Sequence, residues 1–230
     1  LLANGELIAL CDQDDYWHCD KIKNMQAAIG NYPLIYCDSI LCDENLQPLG
    51  VNISDRVNSI DFNNCLQQVV FCRIYGHATL MTKSFLQQAV PFLDVIPHDW
   101  WLCYMATFYG GIKYLPEQLV SYRQHAANIF GVVGGKSKRH NTITKAERNR
   151  LEMSRIRTRI NAFYKACPDM LVKEKKVLKK LVKTYQSFFL VNNFQRMMLF
   201  LKYQDQFLAS KKRSAIRKYL FCLKMFVIIK

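Results

Sequence analysis

Three aspartates, Asp12, Asp14 and Asp15, fall within four positions directly after the apolar run Leu7-Ile8-Ala9-Leu10-Cys11. Carboxylates this close repel one another, and a fold keeps them together only where something cationic relieves the charge. A divalent ion shared with substrate phosphates suits the group, because magnesium and manganese take one or two carboxylates and leave other positions to phosphate oxygens and water. The plainer alternative is an acidic turn that caps the helix beginning near His18. A second cluster is His98-Asp99-Trp100-Trp101. There Asp99 reads either as a helix cap or as a general base with a tryptophan face beside it to stack on a sugar ring. In the third, Tyr122-Arg123-Gln124-His125, Arg123 suits a bidentate phosphate clamp. His125 reads as a metal ligand or donor, against the plainer reading of a structural histidine after a strand.

The elements that must position these residues alternate. Leu7 to Cys11 has the length and continuous apolarity of a strand buried on both faces, and the acidic group lies at its carboxyl end, where open α/β sheets bind ligands. Ile22, Met25, Ala28 and Ile29 predict a helix over 18–29, stopped by Gly30-Asn31. A strand is expected over 34–37, a polar loop over 45–61 and a helix around 62–70. A strand over 78–81 follows Gly76, then helices over 83–89 and 99–109, the second closed by Gly110-Gly111. Two short strands, 112–115 and 118–122, are expected on either side of Pro116-Glu117. The alternation predicts an α/β domain over residues 1–130 with a mostly parallel sheet covered on both faces. Gly131–Gly135 and Lys136-Ser137-Lys138-Arg139 mark the boundary. Beyond it the pattern is helical. Met153, Ile156, Ile160 and Phe163 mark one helix, ended by Pro168, and Val177 to Phe189 a second; 191–208 and 211–229 suggest two more.

Composition bounds the classes. Half of the 230 residues are hydrophobic and 13% aromatic, which excludes wholesale disorder. No uncharged apolar stretch reaches eighteen residues, so no conventional membrane-spanning helix is expected. Leu1 to Leu10 has no basic leader and contains Glu6, unlike a signal peptide. The opening Leu1-Leu2-Ala3-Asn4-Gly5 reads as the middle of an element, so a fragment is expected. Nine cysteines without a CxxC spacing, several inside apolar runs, favour buried thiols in a reducing compartment. The formal charge of +14 is unevenly spread: residues 1–130 carry 7 Lys/Arg against 13 Asp/Glu, and residues 131–230 carry 25 against 5. Such asymmetry marks two regions with different work.

Taken together, the clusters resemble a known family. Gly5 through Trp17 resembles the strand-and-DxDD segment of family 2 glycosyltransferases, especially rhamnosyltransferase-like enzymes of bacterial polysaccharide synthesis. His98-Asp99-Trp100-Trp101 looks like that subgroup's acceptor-side acidic motif. Leu115 to His125, continued by Asn128, resembles its closing segment, and Gly76-His77-Ala78-Thr79-Leu80-Met81 its glycine-led strand. The resemblance covers roughly residues 3–130, with four motifs in the right order. It implies a GT-A fold in which a nucleotide-binding half on a parallel sheet precedes an acceptor half on a mixed extension. Asp12 and Asp14 would take the DxD positions, touching ribose and a diphosphate bridged by Mg2+ or Mn2+. Asp15 and Arg123 would join Asp12 at the donor, and His125 would join Asp14 near the metal. Asp99 would deprotonate an acceptor hydroxyl for one inverting displacement, with Trp17, His98, Trp100 and Trp101 on the acceptor side. The implied partners are a nucleoside-diphosphate sugar and a polysaccharide or lipid-linked acceptor. Family members carry a stretch comparable with two βαβ units ahead of this segment, holding the first strand and the carboxylates that read the base.

The basic tail, residues 131–230, lies outside the resemblance. It reads first as a solvated face on a helical appendage, next as a dock for an anionic cytoplasmic membrane surface, and last as a nucleic-acid binder, since no helix-turn-helix, RRM or zinc-finger pattern is present. The rival to the enzyme is an inactive fragment or a basic interaction module whose acidic clusters are caps. Tyr219–Ile229, broken only by Lys224, is too short to span a bilayer but suits its interface. Each basic residue near an anionic bilayer contributes about 1 kcal/mol, screened by salt, whereas the apolar run is not screened. Binding to acidic vesicles is therefore expected to weaken sharply with salt without vanishing; equal co-sedimentation with neutral vesicles would contradict this.

Overall fold

The structure is a computed structural model that describes residues 3–124, 144–187 and 189–227. His125, Asn128 and the expected boundary at 131–135 lie outside the described residues. The chain begins with β1 (Leu7–Ala9) and the short β2 (Tyr16–Trp17), which flank the aspartates. Then come α1 (Lys21–Ala28), β3 (Leu34–Cys42), β4 (Pro48–Asn52), α2 (Ile53–Arg56) and α3 (Leu66–Val69). β5 (Thr79–Thr82), α4 (Lys83–Ala89), α5 (His98–Ala106) and β6 (Ile112–Arg123) complete the first part.

The strands form one sheet in the order β1-β5-β3-β6-β2, with β4 also pairing with β3. The chain is thus α/β, but the sheet is mixed rather than mostly parallel. Among the described strands β3 and β6 run parallel, while β1–β5, β5–β3, β3–β4 and β2–β6 are antiparallel. Alternation along the chain does not fix direction in the sheet: β5 inserts between β1 and β3 and runs against both.

Two strands run longer than their apolar pattern suggests. β3 continues through Asp38, which is buried because three donors meet its carboxylate: Ser39 N–H at 2.9 Å, Ser54 N–H at 3.1 Å and Ser54 Oγ–H at 2.6 Å. Ser54 sits on α2, within the stretch expected to be loop. β6 passes through Pro116-Glu117 by a bulge, where pairing steps from Cys37–Leu115 to Asp38–Gln118. After α5 the chain turns at Gly111, whose φ of 101° and close approach to Phe62 O leave no room for a side chain.

The helical part comprises α6 (Lys145–Ala166), α7 (Val172–Gln186), α8 (Leu190–Lys202), α9 (Gln204–Phe207) and α10 (Ala215–Val227). The capping pair Thr144 and Glu147 starts α6: Glu147 N–H donates to Thr144 Oγ1 at 3.2 Å and Thr144 N–H to Glu147 Oε2 at 2.9 Å. The helix expected over 191–208 breaks at Tyr203. Val177, Leu178, Leu181 and Tyr185 turn inward as their spacing predicts. Their core is shared with the first part, since Cys65, Leu66, Trp101 and Tyr104 belong to the same cluster as Ile160, Phe163, Leu178 and Phe207. Tyr104 Oη donates to Phe163 O at 2.7 Å, and the two rings lie 4.2 Å apart. Not all of the tail's basic residues face water. Arg196 is 1% exposed and donates to Thr184 O at 2.7 Å and Asn193 Oδ1 at 2.5 Å. No helix among the described residues is long and apolar enough to cross a membrane.

A shared core predicts shared unfolding. Phe163→Ala should cost about 3–5 kcal/mol in denaturant titration, the usual loss for a buried aromatic, and helix and sheet signals should melt in one transition. Two separable transitions would contradict this.

Candidate active site

The register of two strand pairs assembles the site. β1 pairs with β5 as Leu7–Thr82, Ile8–Met81 and Ala9–Leu80, so extending it three places sets Asp12 across from His77. β2 pairs with β6 as Tyr16–Ser121 and Trp17–Val120, which brings Asp15 to the end of β6, where its Oδ1 accepts from Arg123 N–H at 3.0 Å. Both carboxylates thereby reach one imidazole. His77 Nδ1 lies 3.0 Å from Asp15 Oδ2 and 3.5 Å from Asp12 Oδ2, while Nε2 meets Ser39 Oγ at 3.2 Å. The ring packs against both Tyr75 and Tyr122, at centroid distances of 5.8 and 4.5 Å, and those two rings also touch each other. Asp15 and His77 are closed to solvent, whereas the Asp12 side chain is 58% exposed, so the cluster has a buried base and an open end.

Charge follows from this packing. Burial alone would lower the His77 pKa, but hydrogen bonds and charge from Asp12 and Asp15 outweigh it and raise the imidazole above its ordinary value. The hydrogen bond from His77 in turn holds the Asp12 carboxyl below the usual carboxylate range. Lys21 backs the group: its Nζ donates to His77 O at 2.5 Å, lies 3.3 Å over the Trp17 ring, and is pushed by burial down to about 8. The cation that crowded aspartates require is thus supplied from within the fold. The capping alternative does not account for the triplet, because the cap position of α1 is Asp20.

Gly76 links this cluster to α5. A methyl group in place of its hydrogen would stand 3.4 Å from Leu10 Cδ1 and 3.7 Å from both Asp99 Cβ and His98 Nε2. Asp99 is therefore a near neighbour of the β1 end. Burial pushes its carboxyl above the usual range; the Trp100 N–H, 2.7 Å from Oδ1, opposes that shift, and charge on Asp12 adds to it.

The expected site residues separate on this geometry. Asp12, Asp15, Arg123, His98 and Asp99 gather at one end of the sheet. Asp14 is half-buried and outside the cluster: the hydrogen bond to Arg123 N–H turns Asp15 toward His77 instead. Trp17 is half-buried with its ring face taken by Lys21, and Trp101 is a core residue whose Nε1 donates to Ala89 O at 2.7 Å. Trp100 lines the same cleft as Asp99, but its ring lies under the Arg159 guanidinium and against the core, and its Nε1 donates to Gln68 O. Trp101, about 100° further round the helix, turns inward. His77 is the residue that sequence reasoning missed as a site residue; its signal was its mirror position to Asp12 once β1 and β5 are paired.

No protein-family model matches the chain. Over 136 residues it is 26% identical to uncharacterized proteins of Mycobacterium bovis and Mycobacterium tuberculosis. The match takes in 56% of this chain and 37% of each relative, so the chain spans well under half the length of the curated relatives it matches.

The donors of Asp12, Asp15 and His77 lie within 4.8 Å of one another. Two carboxylates and an imidazole are a ligand set that could hold a divalent ion. Such an ion would take the place of the His77 proton, so its affinity should rise with pH.

Without metal, His77 predicts a pH dependence. It binds its proton more tightly folded than unfolded, so its stabilisation is complete below about pH 6.5 and is lost as pH rises through the higher folded value. In chelator, the melting temperature should fall as pH rises above about 6.5 in the wild type. His77→Gln should melt lower at the acid end and lack that fall; equal slopes would contradict the assignment.

Proposed function

We propose that this chain carries the catalytic part of an inverting glycosyltransferase, moving a sugar from a nucleoside-diphosphate donor to a hydroxyl of a glycan or lipid-linked acceptor. The observation that carries the reading is a pair of neighbouring carboxyls driven in opposite directions: Asp12 is held ionised at an open strand end, and burial raises Asp99. Environments that push two titratable groups apart mark a division of labour between charge stabiliser and acid or base. The family resemblance of residues 3–130 supports the same division, and the mixed sheet is compatible with the acceptor half of a GT-A fold.

In this reading Asp99 takes the proton from the acceptor hydroxyl as its oxygen attacks the anomeric carbon. The bond from that carbon to the diphosphate oxygen breaks, and its electron pair leaves with the nucleoside diphosphate. A carboxylate with a raised pKa is a stronger base than an exposed one. Asp12 faces the donor, Asp15 and His77 hold it in place, and Arg123 lies at the same edge to meet phosphate. A divalent ion held by Asp12, Asp15 and His77 would neutralise charge on the departing diphosphate.

We also infer that the protein works peripherally on the inner face of the cell membrane. Ile216, Tyr219, Leu220 and Val227 on α10, and Leu190, Val191 and Phe194 on α8, are exposed in the basic part of the chain. Apolar and basic groups together suit an anionic bilayer interface.

The test uses the full-length protein. Asp99→Asn should lower turnover by on the order of 10²–10⁴, the usual contribution of a general base, with donor affinity nearly unchanged by calorimetry. A comparable loss of donor binding would place Asp99 at the diphosphate and contradict its role as base.

A further inference from the structure

A cleft of about 580 Å³ opens beside Asp99, and its walls come from both parts of the chain. Arg56, Arg73, Arg159, Lys211, Lys212 and Arg213 line it, against one lining carboxyl, Asp99. Among the described residues, Arg73, Arg159, Lys211 and Arg213 form no ion pair with a carboxylate. Three of them rest on aromatic faces instead: Lys211 Nζ lies 4.0 Å from the Phe71 centroid, the Arg159 guanidinium 4.2 Å from Trp100 and that of Arg213 5.5 Å from Phe221. Such contacts keep long side chains extended without neutralising them.

The wall is also held in place. Asn58 N–H donates to Ser210 O at 3.1 Å, Asn58 Nδ2 to Ala209 O at 2.8 Å and Lys212 Nζ to Ser54 O at 2.9 Å. Ser210 is 2% exposed, yet among the described residues its Oγ has no hydrogen-bond partner, and neither does the buried Nε of Arg159. Burial and the neighbouring Arg73 and Arg213 push Lys211 down to about 8. Cations fixed together with unmet donors are what an anion with several acceptor oxygens would relieve.

We propose that this cleft binds a phosphate or diphosphate group on the molecule that bears the acceptor hydroxyl. The word acceptor rests on the transfer reading above, through the cleft's position at Asp99; the anion site does not. Asp12, Asp15 and His77 do not line this cleft, although Asp99 lies near both, so each phosphate-bearing substrate would have its own recognition surface. The phosphate can belong to a soluble ester or to a lipid headgroup. Arg213 also lines a second groove, along α10, with Leu220, Phe221, Leu223 and Val227, which offers a hydrocarbon chain an apolar path.

The experiment is calorimetric titration of the full-length protein in chelator, with inorganic pyrophosphate and with dodecyl phosphate below its micelle concentration. Pyrophosphate should bind. Arg73→Gln and Lys211→Gln should each weaken it about tenfold or more, the effect of losing one charge-assisted hydrogen bond. Arg213→Gln, at an exposed position, guards against a loss that reflects only misfolding, and Asp99→Asn should bind as well as the wild type or better. Tighter binding of dodecyl phosphate, reduced by Leu220→Ser, supports a lipid-borne phosphate; equal affinity in wild type and Leu220→Ser supports a soluble ester. No binding of either probe, or pyrophosphate binding unchanged in all three cation variants, would overturn the proposal. Binding intact without any sugar transfer would refute the transfer reading alone.

Discussion

The site depends on one buried imidazole. His77 reaches the aspartates that follow β1 and precede β2, touches Ser39 in β3, and packs against Tyr122 in β6. Like charges so close cannot remain ionised without a cation, and an exposed lysine would offer only a screened one. A histidine beneath them, with its other nitrogen occupied by a hydroxyl, sets Nδ1 within 3.0 Å of Asp15 and 3.5 Å of Asp12, contacts that a shift of register would break. The β1–β5 and β2–β6 pairings and the ion cluster therefore specify each other.

From that constraint follows an unequal pair of carboxyls. Asp12 gains from His77 and remains open; Asp99 lies across Gly76, shielded by the helix it begins. The charge asymmetry of the chain also acquires a location. Part of the basic half serves structure, as Arg196 does where it joins α7 and α8. Another part, Arg159 and Lys211 to Arg213, is folded back toward Asp99. The two regions that differ so much in composition thus meet at one carboxyl.

The sequence made local features legible and left non-local ones hidden. Apolar runs and helical spacing located α1, α4, α5 and the inward faces of α6 and α7, because those patterns repeat within a few residues. The acidic triplet was visible for the same reason. The length of β3 was not, since Asp38 is satisfied by Ser54 only after α2 has folded back. Nor was the continuity of β6, where a bulge absorbs Pro116, or the strand directions, which follow from where β5 inserts. His77 acquired meaning only through pairing with β1. The different placement of Trp100 and Trp101 needed the rotation of α5, and that of Asp14 and Asp15 needed the end of β6.

We propose that these residues direct a single displacement at an anomeric carbon. The most direct measurement is proton NMR of the glycoside formed by the full-length protein from nucleoside-diphosphate sugars, read early in the reaction from its anomeric coupling constant. One displacement with Asp99 as base predicts a product of configuration opposite to that of the donor. A product that retains the donor's configuration, or no glycoside from any donor of this class, would contradict the account.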